Sequence, residues 1–112
     1  MYKIILIMVF ILGLSFLMAH PPGEMYISFD NDEMVLTVVI EHNVGNPENH
    51  YVDQINITHE RRELIVHKMS RQDDGERVTL KYRLPDVQSG MTLTIVAGCN
   101  RIGRLNKTFE IE

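Results

Sequence analysis

Residues 34–41 read MVLTVVIE, and this stretch decides the fold class. In an extended chain Leu36, Val38 and Ile40 fall on one side and Val35, Thr37 and Val39 on the other, and the β-branched content suits a pleated strand. Toward the N-terminus, Met25, Ile27 and Phe29 alternate with Tyr26 and Ser28, and the Asp30, Asn31, Asp32 cluster separates the two runs. Toward the C-terminus, residues 51–58 and 63–69 read as a third and fourth strand. The turn Gln72, Asp73, Asp74, Gly75 then leads into residues 78–83, so the fourth and fifth segments read as a hairpin. Pro85, Asp86, Ser89 and Gly90 cannot continue a central strand. Beyond them Met91, Leu93, Ile95 and Ala97 alternate with Thr92, Thr94 and Val96, and residues 104–111 form the last segment. No helical period persists beyond two turns, so the class is all-β.

Seven strands at turn intervals of about 8 to 12 residues predict an immunoglobulin-like β-sandwich. The 112 residues leave room for one domain, and residues 1–19 are set apart from it. There Lys3 precedes an almost unbroken apolar run, Ile4 to Met18, that ends at Ala19. This is the shape of a cleavable secretory signal, a helix shorter than the roughly 20 residues that span a bilayer core. The expected organisation is a signal peptide over residues 1–19 and one β-sandwich over 20–112, in a secreted or extracytoplasmic protein. Membrane association follows only if the signal is retained.

Removing residues 1–19 takes away Lys3 and no acidic residue. Ten basic residues then face fifteen acidic ones, and the balance moves from −4 to about −5. With no Lys/Arg cluster, a nucleic-acid partner is excluded, because such affinity rests on cation contacts to phosphate. The single cysteine, Cys99, rules out an intrachain disulfide and points to an intermolecular bridge, a reactive thiol or a metal ligand.

Five histidines accompany that cysteine. His59 and His67 sit among charged residues, where a solvated face accounts for them. His42 and His50 bracket a loop whose Gly45, Asn46 and Pro47 turn the backbone tightly, and such loops on a rigid sandwich concentrate function. The plain alternative is a pair of rim histidines bonding backbone groups. Cys99, followed by the polar turn Asn100, Arg101, Ile102, Gly103, adds a thiolate to two imidazoles. That donor set suits Fe(II), Cu or Zn. The alternative for Cys99 is a small buried hydrophobe at a strand end. Met25, Met34, Met69 and Met91 are scattered at core-like positions and read as packing residues.

Three blocks, His20-Pro21-Pro22, VVIEHNVGNPENHYVDQI from Val38 to Ile55, and CNRIG from Cys99 to Gly103, resemble the superoxide reductase family: neelaredoxins and the iron-binding domain of desulfoferrodoxins. Most of residues 20–112 is covered. The resemblance implies an immunoglobulin-like fold around one mononuclear iron, Fe(II)/Fe(III), held by imidazoles and an axial thiolate, with an open position for superoxide. Carried over by motif, the metal ligands are His20, His42, His50 and Cys99. Ile102 stands where the family motif CNxHG has its last His, and the loop from His42 to His50 is two residues longer than the usual spacing. The sequence looks most similar to a secreted branch lacking that His. If His20 becomes the first residue, its α-amine and ring can chelate together, and the amine can replace the lost imidazole.

The expected function is an exported iron-binding protein resembling superoxide reductase, which reduces superoxide by one electron to hydrogen peroxide. Its partners are superoxide or another small anion and an external electron donor. Two other readings stand beside it: a non-catalytic carrier for copper or iron, and a metal-free interaction sandwich.

Overall fold

The computed structural model describes residues 22–112; the expected signal segment, residues 1–19, and the candidate ligand His20 lie outside the described residues. Seven strands follow one another: β1 (Glu24–Asp30), β2 (Val35–Glu41), β3 (Val52–His59), β4 (Arg62–Lys68), β5 (Arg77–Arg83), β6 (Thr92–Cys99) and β7 (Arg104–Glu110). They form a three-stranded sheet ordered β1-β2-β5 and a four-stranded sheet ordered β4-β3-β6-β7. Every pairing is antiparallel. A constant-type immunoglobulin sandwich divides its strands four and three. Here β4 pairs with β3, which gives three and four.

The alternation read from residues 34–41 is the alternation of the core. Leu36, Val38 and Ile40 are fully buried, and across the sandwich so are Ile55, Ile57, Leu93, Ile95 and Ala97. Each of the Leu, Val and Ile side chains among them contributes about 1.5–3 kcal/mol by leaving water, and Ala97 less. Met25 belongs to this core, while Met34, Met69 and Met91 pack against it. Met34 does not open β2 as expected. It closes the preceding turn with φ 57°, and its carbonyl accepts the Leu84 N–H at 2.8 Å. The turn itself is an Asx turn, in which Asp30 Oδ1 accepts the N–H groups of Asp32 and Glu33.

The hairpin expected from the turn at residues 72–75 is not formed. β5 pairs with β2, where Val78, Leu80 and Tyr82 stand opposite Ile40, Val38 and Leu36, while β4 pairs with β3. The reason is length and anchoring. Residues 69–76 make too long a connection for a tight hairpin, and they cross from one sheet to the other. They are held on the way by Met69 N–H to Asp53 O (2.8 Å) and Gln72 N–H to Pro47 O (3.0 Å).

Each lateral seam of the sandwich is closed by a cross-sheet bond. Lys107 Nζ donates to Met25 O at 2.8 Å between β7 and β1, and His67 Nδ1 meets the Tyr82 hydroxyl at 2.8 Å between β4 and β5. The same topology gathers the C-terminal ends of β2 and β6 and the N-terminal end of β3 at one end of the molecule. Val52 pairs with Cys99, and a register shift between Val52 and Gln54 leaves Asp53 as an extra residue on β3.

Candidate metal centre

At that end three chain segments meet. His42 follows directly on β2 and is 1% exposed; its N–H donates to Glu76 O at 2.8 Å, which prolongs the β2–β5 ladder. His50 arrives by a tight turn that the sequence Asn46, Pro47, Glu48, Asn49 encodes. Asn46 Oδ1 accepts the Glu48 N–H (2.9 Å), and Asn46 O accepts the N–H groups of Asn49 (3.2 Å) and His50 (3.0 Å). Asn in this position caps one helical turn, and Pro at its first residue gives up no needed donor. Cys99 ends β6 and is partly buried; its N–H closes the following turn onto Gly103 O at 3.1 Å. Gly103 adopts φ 88°, a conformation that glycine takes without a Cβ penalty.

The potential ligand atoms of His42, His50 and Cys99 all lie within 4.8 Å of one another. The two imidazoles meet edge to face with ring centroids 4.8 Å apart, and both Nε2 atoms are buried. Metal bonds of about 2.0–2.3 Å place donors on one ion roughly 3 to 4.5 Å apart. The three residues are therefore close enough to share one ion. Two imidazoles and a thiol also match the donor preference of iron, copper and zinc.

Two residues hold this arrangement, and neither stood out in the sequence. Asn100 clamps the segment around His50: its Oδ1 accepts the Tyr51 N–H (2.9 Å), its Nδ2 donates to Asn49 O (3.1 Å), and its own N–H donates to Tyr51 O (3.0 Å). Gln72, 1% exposed, lies behind His42 with Oε1 2.9 Å from His42 Nδ1. The same oxygen accepts the Val52 N–H at 3.3 Å, and Nε2 donates to His42 O (2.7 Å) and Asp74 O (3.0 Å). In the sequence Gln72 is one more polar residue in a turn, and nothing there signals burial. Asp74 completes the crossing. Its carboxylate accepts the N–H groups of Arg77 and Glu76, which hold its pKa below the usual carboxylate value.

His59 and His67 are not in the cluster; His67 is engaged by Tyr82. Ile102 is 43% exposed on the turn after Cys99, beside a polar groove of about 710 Å³ that Asp53, Asn56, Arg101 and Arg104 also line.

Among solved structures, the superoxide reductase (1Fe-SOR) from Giardia intestinalis is similar to this chain at a TM-score of 0.56 and 20% identity, over 84% of this chain and 99% of that one. The sandwich is superoxide-reductase-like. No family model matches the chain, and a search of curated proteins finds no match. The likeness therefore speaks for the fold, and the His42, His50, Cys99 cluster speaks for what that fold could hold.

Proposed function

We propose that this chain is an exported mononuclear iron protein with superoxide-reductase-like activity. The observation that carries the reading is the convergence of His42, His50 and Cys99 within 4.8 Å at one end of a superoxide-reductase-like sandwich. Bound there, iron would supply one-electron redox chemistry and a position for a small anion. The chain's part is to hold the ion. His42 and His50 contribute neutral nitrogen donors, and Cys99 contributes a thiolate.

His20 is proposed as a further donor, and chain reach supports it. The Gly23 N–H bonds Glu41 O at 2.8 Å, so the chain enters β1 beside the residue that precedes His42. His20 is three residues upstream, within about 10 Å of Gly23 at some 3.3–3.6 Å per residue. Cleavage after Ala19 would add its α-amine as a second donor.

The test is an anaerobic Fe(II) titration of the chain beginning at His20, beside the chain that retains Ala19, followed by oxidation and a visible spectrum. One equivalent of iron and a thiolate-to-iron charge-transfer band are expected, and the band is lost in Cys99→Ser. A band only when His20 is first supports the amine as a ligand, and a band in both chains removes the amine while keeping the site. No iron bound by either chain overturns the reading. The alternative of a non-catalytic carrier is separated by azide: a shift of the band on addition marks an open position, and its absence favours the carrier.

A further inference from the structure

We infer that Gln72 is a positioning residue that fixes His42 as its Nδ1–H tautomer, so that the Nε2 lone pair is the one presented to the cluster. Four partners surround the Gln72 amide, and three of them have only one possible role. His42 O (2.7 Å) and Asp74 O (3.0 Å) are carbonyls and can only accept, so the atom facing them is the NH2 group. The Val52 backbone N–H (3.3 Å) can only donate, so the atom facing it is the carbonyl oxygen. Flipping the amide would set oxygen against two carbonyl oxygens and NH2 against an N–H, in a site that is 1% exposed. With the amide thus oriented, the atom 2.9 Å from His42 Nδ1 is an acceptor. Nδ1 must therefore carry the proton, and Nε2 of the neutral ring must not.

The same side chain ties together the segments that bring the ligands. It bonds the ring and the carbonyl of His42, and it bonds Val52, the ladder partner of Cys99. Its own N–H reaches Pro47, three residues before His50. A partner on the second ring nitrogen is the general means by which a protein sets both the tautomer and the orientation of a ligating histidine, and its removal costs about 10- to 100-fold in metal affinity. The consequence for metal binding rests on reading His42 as a ligand; the tautomer does not.

The experiment uses the full chain, metal-free and uniformly 15N-labelled, at a pH where imidazole is neutral. Long-range 1H–15N correlations are recorded for wild type, Gln72→Met and Gln72→Glu, and Co(II) affinity is measured in parallel. Wild type is expected to show His42 protonated at Nδ1. Gln72→Glu retains that pattern where its carboxyl is protonated, since its C=O then still faces Nδ1 while its O–H donates toward the His42 carbonyl in place of the amide NH2. Gln72→Met, which has no acceptor, loses it and weakens Co(II) binding about 10-fold or more. An Nε2-protonated His42 in wild type, or an unchanged pattern in Gln72→Met, overturns the inference. If Gln72→Met does not fold, the wild-type spectrum still decides, because an Nε2-protonated His42 there overturns the inference by itself. Wild type with the expected tautomer but no Co(II) binding supports the inference and counts instead against the metal reading.

Discussion

Tyr82 is 9% exposed, and its hydroxyl meets His67 Nδ1 at 2.8 Å across the seam between β5 and β4. Burial disfavours the phenolate and pushes its pKa up to about 12, from an ordinary value of 10.0. The folded phenol thus titrates above the unfolded one. Its contribution to stability is complete below pH 10 and is lost as pH rises through about 12. Tyr82→Phe should flatten the alkaline fall in stability between those values and cost about 1 kcal/mol at neutral pH through the lost bond. Denaturation midpoints measured from pH 8 to 12 check this, and an unaltered alkaline slope would refute it. Residue identity also exposed the candidate ligands. His42, His50 and Cys99 are the types that bind metals, and they stand at the ends of alternating runs. Gln72 and Asn100 escaped the same reading, because an amide in a polar turn looks identical whether it faces water, a buried imidazole as Gln72 does, or the backbone of a neighbouring loop as Asn100 does.

Among elements, the crossing at residues 69–76 does most to shape the site. Val44 N–H donates to Gly75 O at 2.8 Å, and a Cβ added at Gly75 would lie 3.0 Å from Val44 O. Backbone cannot yield as a side-chain tip can, so Gly75→Ala should push the crossing away from the segment that follows His42. The expected cost is about 1–3 kcal/mol; on the proposed reading iron binding also weakens, because Gln72 moves with the crossing. Urea denaturation and metal titration of the variant measure both. Wild-type values in each would show that the crossing adapts freely. The turn chemistry of Gln72 to Gly75 suggested a local hairpin. What defeated that reading is partner choice: β5 finds its apolar match in β2, more than 30 residues earlier, and local sequence cannot announce so distant a partner.

For the molecule as a whole, charge and topology act together. The net charge of −4 sets a repulsive field against any approaching anion, and added salt screens it. If the proposed iron site forms, azide binding to it should therefore stay level or tighten as ionic strength rises from about 10 to 300 mM. A steep weakening would mean that a local cationic patch, such as that of Arg101 and Arg104 in the groove beside Cys99, outweighs the overall charge.

The strands themselves were written locally. Period-two alternation in residues 34–41 and 91–97 places every second side chain on one face whatever its partner, and burying that face is what drives the chain into a sandwich. The pairing of β5 with β2, the meeting at one end of the three segments that carry His42, His50 and Cys99, and the burial of Gln72 behind His42 belong to the assembled fold. They depend on contacts between residues tens of positions apart, and no periodicity or turn signal carries that information along the chain.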